Sequence, residues 1–322
     1  METREFGRLG NISSLTLGGG GIGGVWGTTD RAEAVATVHD ALDAGITMLD
    51  LAPSYGTGFE SEHAAADALR GIRTDVMITS KVQLPDDDGR DFAARIRRSL
   101  HDSLTRLERD HLDVLLLHTQ FRRTGAALPG TVDPAGYRDE IVPTFLELEK
   151  EGLIRGWGIT AVGDPEPILS AFADTPRPDT AQIVVNALDQ NGDLWIHGDS
   201  VQPDNPGLVR AAASAGVAVT AIRVVAAGSL TGALDRSVPA DHPAAVDFAR
   251  AAPFRALAAS LGETPASLAH RYALSVPGVA TVVLGVKNRD ELAECVAAEA
   301  RGPLAADEFD AVEGLVPAAA GR

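Results

Sequence analysis

Cysteine occurs once in this chain, at Cys295. One thiol closes no intramolecular disulfide and builds no cysteine-based metal cluster. That usage suits a reducing compartment, and the expected setting is cytoplasmic. Aromatic residues are scarce, with three tyrosines and three tryptophans in 322 residues. No apolar run approaches the roughly 18 residues that a membrane helix needs. The opening Met1–Glu5 lacks the basic start and apolar centre of a secretion signal. Positive charge is in deficit: 28 Lys and Arg stand against 45 Asp and Glu, a net charge of -17. Nucleic acid and anionic membrane surfaces call for basic patches, so neither is expected as a partner. His63, His101, His111, His197, His242 and His270 show no metal-ligand spacing. They read as surface or packing residues, and no metal is expected.

What is present is an alternation of short apolar runs with longer amphipathic ones. Eight runs read as strands: Leu15–Gly18, Ile46–Leu51, Val76–Lys81, Leu112–His118, Ile154–Thr160, Ala181–Asn186, Val217–Arg223 and Val279–Gly285. Each is nearly continuous in apolar residues, as in parallel strands covered on both faces. Helical spacing lies between them. Over Phe92–Leu107, Ile96, Leu100, Leu104 and Leu107 share one face while Arg95, Arg97 and Arg98 fall off it. Arg31–Ala44 follows Asp30 as an N-cap and stops at Gly45. Ser267–Ser275 and Asp290–Ala300 also read as helices. Eight strand–helix units with no composition break predict a single-domain (β/α)8 TIM barrel over residues 1–322, with 317–322 as a frayed end. A doubly wound open sheet is the rival. Trp157 reads as core.

Gly18 to Gly24 fits G-x-G-x-x-G through Gly18, Gly20 and Gly23. A Rossmann reading fails because no acidic residue ends a second strand at the spacing of a ribose ligand. The glycines read instead as a flexible rim loop whose backbone approaches a ligand closely. Asp50, Lys81 and His118 each stand at or next to the end of a predicted strand, in MLDLA, MITSK and VLLLH. In a parallel barrel those three ends are neighbours on one rim. Tyr55 lies just beyond Asp50 on the same side. A phenol ordinarily ionises near 10, and a neighbouring ammonium is expected to lower that. Asp50 would pair with Lys81, His118 would bind a carbonyl oxygen, and Tyr55 would protonate it. No side chain supplies hydride, so a nicotinamide or flavin is implied.

These segments carry a resemblance over essentially the whole chain. LTLGGGGIGGVWG at 15–27, ALDAGITMLDLAPSYG at 41–56, SLHDSLTRLERDHLDVLLLH at 99–118 and ELEKEGLIRGWGIT at 147–160 resemble the aldo-keto reductases, nearest the aldose and galactose dehydrogenase branch. The resemblance implies a (β/α)8 barrel and a catalytic tetrad of Asp50, Tyr55, Lys81 and His118. It implies a nicotinamide cofactor extended across the C-terminal face, NADPH first and NADH as the alternative. The cofactor positions it implies are Gly19, Gly20, Asp50, Thr160 and Gln182, then Ile222 and Arg223, then Gly285, Lys287, Asn288, Arg289 and Glu291. Trp26 and Trp195 would line the substrate pocket with Tyr55 and His118. Three departures stand out. Ile222 replaces a tyrosine that stacks on nicotinamide, Glu291 takes a place where relatives carry arginine or glutamine, and Cys295 replaces a frequent asparagine. Lys287 and Arg289 are the expected grip on a 2′-phosphate. The activity implied is hydride transfer to the carbonyl of an aldehyde, ketone or sugar. The alternative is a nicotinamide-binding regulatory subunit without turnover. The pattern marks no oligomeric state.

Overall fold

The computed structural model describes residues 1–84, 91–126, 128–188, 201–234 and 237–315. Trp195, His197 and the expected frayed end 317–322 lie outside the described residues. Eight parallel strands close into one barrel: β1 (Leu15–Gly18), β2 (Met48–Asp50), β3 (Met77–Val82), β4 (Leu112–Leu117), β5 (Ile154–Thr160), β6 (Thr180–Val184), β7 (Ala218–Ile222) and β8 (Val279–Leu284). Each strand pairs with its sequence neighbours, and β8 closes on β1 through Val282–Leu15 and Leu284–Leu17. Closure excludes the open doubly wound sheet. A helix follows each strand: α1 (Arg31–Asp43), α2 (Glu60–Leu69), α3 (Phe92–Leu107), α4 (Val142–Lys150), α5 (Pro165–Ala173), α6 (Asn205–Ser214), α7 (Pro265–Ser275) and α8 (Arg289–Ala300).

Local chemistry sets these boundaries. Asp30 accepts a hydrogen bond from the Glu33 amide at 2.9 Å and caps α1. Asn288 does the same for α8 through the Glu291 amide, and Thr264 for α7 through Ser267. Proline opens α5 and α7 at positions where its missing N–H has no intrahelical use. Trp157 is buried within β5 and stacks on Phe145 of α4, with ring centroids 5.3 Å apart.

The core divides in two. The larger part lies between the strands and the helical ring. The smaller part fills the barrel floor, where Phe6, Leu9 and Ile12 of an N-terminal hairpin meet Met48, Met77, Val114 and Leu116. Strand side chains alternate faces with a period of two, so the inward series can be followed upward. Met48 leads to Asp50, Met77 through Thr79 to Lys81, and Val114 through Leu116 to His118. Each of these three series begins apolar on the floor and ends polar at the C-terminal mouth. That gradient positions the site. Among the described residues no helix is long and apolar enough to cross a membrane.

Candidate active site

Three adjacent strand ends bring Asp50, Lys81 and His118 together. Lys81 is fully buried, and its Nζ stands 2.8 Å from Asp50 Oδ2. It also donates to the Leu51 carbonyl at 2.9 Å. The second Asp50 oxygen accepts from Gln182 Nε2 at 2.8 Å. A buried ion pair is held at this depth only because its remaining hydrogen-bonding capacity is met. Tyr55 lies above the pair, its ring centroid 4.6 Å from Lys81 Nζ. Its ring meets His118 edge-on at 5.9 Å and 85°.

Tyr55 is held by backbone contacts. Its amide donates to Ala52 O at 3.1 Å, and its carbonyl accepts from the Ser61 amide at the start of α2. A β-carbon on Gly23 would stand 2.6 Å from the Tyr55 carbonyl oxygen, and one on Gly21 would stand 1.9 Å from Val286 O. Only glycine lets the first loop lie between the other two. The expected flexible loop is therefore corrected: Gly19–Ile22 forms one buried helical turn, wedged between the Tyr55 loop and the loop after β8.

Burial sets the electrostatics. Desolvation acts first on Lys81 and opposes its charge, but Asp50 and Tyr55 outweigh it and hold the ammonium above its ordinary range. For Tyr55 burial wins over Lys81, so the phenol stands above 10. The sequence expectation of a lowered phenol is thus reversed. Asp50 shares the ammonium and adds its own opposing charge. Burial and then Lys81 push His118 down to about 3. The imidazole is neutral, and its Nδ1 is buried without a hydrogen-bond partner.

That last value fixes a pH dependence. Between about 3 and 6.5 the unfolded chain binds a proton at His118 that the folded chain does not. Stability should therefore fall as pH drops below 6.5, by about 1.4 kcal/mol per unit from this group. Above 6.5 the penalty vanishes. His118→Gln should flatten that part of the stability–pH curve in urea titrations. An unchanged slope would show that His118 is protonated in the fold.

Asp50, Tyr55 and His118 open onto a cavity of about 640 Å³ at the C-terminal mouth. Asp50, Tyr55, His118, Gln182 and Ile222 line one end. Gly18, Gly20, Trp26 and Gly285 form the middle. Lys287, Glu291, Glu294, His270 and Cys295 line the other end. Arg223 also lines the wall, with a left-handed backbone at φ 56° and its carbonyl held by Asn186 Nδ2 at 3.1 Å.

Other expected positions fall elsewhere. Gly19 faces Ser61 and Leu51. Thr160 is buried outside the lining, its hydroxyl without a hydrogen-bond partner. Asn288 spends its side chain on capping α8. Arg289 is turned onto Glu33 of α1, its Nη2 3.1 Å from Oε2. The expected phosphate ligand Arg289 is thus paired here with a carboxylate from another helix.

The sequence reading missed His270, which lines the cavity. It is buried on α7, its Nδ1 donating to Ala266 O at 2.7 Å and its Nε2 lying 3.6 Å from Cys295 Sγ on α8. Burial pushes the imidazole down and the thiol up, so both are neutral. Thr231–Ala233 and Thr264–Ala266 were missed as lining segments too. Only the proline and cap at Thr264-Pro265 gave any signal, and it marked a helix start.

Residues 14–317 match a family model described as the aldo/keto reductase family. The chain is 30% identical over 308 residues to an L-galactose dehydrogenase of Arabidopsis thaliana, covering 92% of this chain and 88% of that protein. It is 26% identical to a probable voltage-gated potassium channel subunit beta of Oryza sativa subsp. japonica, over 98% of this chain and 97% of that one. A solved aldo-keto reductase from Bacillus halodurans, in its holo form, superposes with a TM-score of 0.75 at 25% identity, over 99% and 97% of the two chains.

Proposed function

The chain belongs to the aldo/keto reductase family, and from that premise we propose that it transfers hydride between a nicotinamide dinucleotide and the carbonyl carbon of an aldehyde, ketone or sugar, with Tyr55 as the proton donor and acceptor. It is an oxidoreductase. The observation that carries the proposed chemistry is the placement of Tyr55 between the buried Lys81–Asp50 pair and a neutral His118 at the end of one cavity.

The residues fit a dinucleotide. The cavity runs from the tetrad to the start of α8, with Gly18, Gly20 and Gly285 along its middle beside the Trp26 indole. Gln182, Ile222 and Arg223 would hold the nicotinamide half, with Gly20 and Gly285 along the length. When bound, the nicotinamide supplies the hydride. Ile222 offers an apolar wall in place of an aromatic one.

The protein's own part is proton handling. A phenol held above 10 is fully protonated at neutral pH, so Tyr55 carries a proton ready for a carbonyl oxygen. Lys81, 4.6 Å from the ring, steadies the charge left on Tyr55 after it gives that proton up. Asp50 holds Lys81 charged and in place. A neutral imidazole has one N–H to offer, and His118, on the cavity wall beside Tyr55, would present it to a substrate oxygen. Trp26, whose indole lies over Gly20, would give substrate an apolar wall.

NADPH or NADH oxidation should accompany reduction of some member of a panel of aldehydes and ketones, and reduced cofactor should form from aldoses in the reverse direction. Tight nucleotide binding with no turnover across that panel would instead favour a regulatory subunit, the reading that the rice relative's name supports.

A further inference from the structure

The two nicotinamide dinucleotides differ only at the adenosine ribose, which carries a free diol in one and a 2′-phosphate in the other. The inference below rests on the proposed hydride transfer. With the nicotinamide end beside Tyr55, His118 and Ile222, an extended dinucleotide that passes Gly285 and Val286 would reach the start of α8, whose residues line the same cavity. The charges at that far end are therefore the ones an adenosine ribose meets.

They are arranged against a phosphate. Glu291 and Glu294 both line the cavity there, with Lys287 as the cation between the loop and the helix. Glu291 is pinned twice. Its Oε2 accepts from the Lys287 amide at 2.9 Å, and its Oε1 stands 2.8 Å from Lys287 Nζ. It also sits in the first turn of α8, where the helix dipole favours a carboxylate. Arg289, the other cation of this loop, is engaged by Glu33 through its backbone amide, Nε and Nη2. A 2′-phosphate could draw Lys287 away only by leaving the Glu291 carboxylate facing a dianion, with Glu294 one turn further on. A ribose diol has the opposite need: two hydroxyl donors seek acceptors, and a fixed carboxylate supplies two.

We propose that the far end of this cavity is built to accept the unphosphorylated ribose of NAD(H) and to reject a 2′-phosphate, with Glu291 as the discriminating residue. This reverses the preference for NADPH that the family resemblance implies.

The test is binding, read by tryptophan fluorescence quenching on the full chain, with no substrate present. NADH should bind about tenfold or more tightly than NADPH, since like charges brought together at an interface are strongly disfavoured. Glu291→Gln should narrow that ratio to within about threefold, chiefly by tightening NADPH. AMP and adenosine 2′,5′-bisphosphate, as displacing ligands on the unaltered protein, should rank in the same order and need no variant. Equal or tighter binding of NADPH overturns the proposal, as does a ratio that Glu291→Gln leaves unmoved. If NADPH binds better but carbonyls are still reduced, the hydride-transfer reading stands and only the discrimination falls. If neither dinucleotide binds, both fall.

Discussion

Tyr55→Phe is expected to lower turnover by about 10²- to 10⁴-fold while leaving nucleotide affinity almost unchanged. Phenylalanine keeps the ring that meets His118 edge-on at 5.9 Å and faces Lys81 Nζ at 4.6 Å. Only the hydroxyl is lost, so packing and folding should survive. The remaining machinery would still place a carbonyl beside a hydride donor, which is why a residual rate is expected rather than none. The elevated phenol adds a direction to the prediction. Burial outweighs Lys81 and keeps Tyr55 protonated through neutral pH. Carbonyl reduction consumes that proton and should be nearly flat across neutral pH. Alcohol oxidation needs the deprotonated phenol and should climb as pH rises. His118, pushed down to about 3, contributes no limb to either profile in that range. Stopped-flow single turnovers on the variant, set beside fluorescence titrations with the same nucleotide, separate chemistry from binding. A turnover within tenfold of the unaltered enzyme would remove Tyr55 from the proton path.

Much of this site is legible in the chain because parallel strands covered on both faces read as apolar runs, and their ends read as the polar residues that stop them. Asp50, Lys81 and His118 are visible for that reason, and the period of two in each strand explains why all three point inward. Boundaries are less legible. Ile46 and Leu51 are as buried as the strand they flank, yet the paired segment is only Met48–Asp50, because burial and ladder pairing are separate demands. The glycine turn misleads in another way. Glycine has low helix propensity, but the carbonyls of Val286 and Tyr55 press too close for any other residue, so tertiary packing decides the local shape. His270 carries no signal at all, since its partner Cys295 lies on the next helix and the contact exists only once α7 and α8 pack. The pairing of Arg289 with Glu33, far away in the chain, is equally invisible in the sequence, because it exists only once α1 and α8 pack. The direction of the Tyr55 shift is missed for a related reason: one ammonium in a sequence says nothing of how deeply the phenol is buried or what else shares that charge.

Lys81→Met should fail in two ways that one further substitution can separate. Methionine fills much the same volume but leaves Asp50 Oδ2 without its partner at 2.8 Å, while Oδ1 keeps Gln182. An uncompensated carboxylate at this depth is expected to destabilise the fold by about 3–5 kcal/mol. Asp50→Asn in the same chain removes that charge, so the double variant should regain most of the lost stability in urea denaturation. The two substitutions should therefore be strongly non-additive, as expected for residues in direct contact. Activity should behave differently. Lys81 also stands over the Tyr55 ring and favours its ionised form against burial. Without it the phenol should rise further, carbonyl reduction should lose about 10²-fold or more, and the alkaline rise of alcohol oxidation should move to higher pH. Asp50→Asn cannot restore any of this, because it returns no positive charge to Tyr55. Recovery of stability without recovery of rate, together with the displaced pH profile, would establish that Lys81 acts on the phenol as well as on Asp50. Recovery of both would reduce it to a counter-ion that keeps a buried aspartate in place.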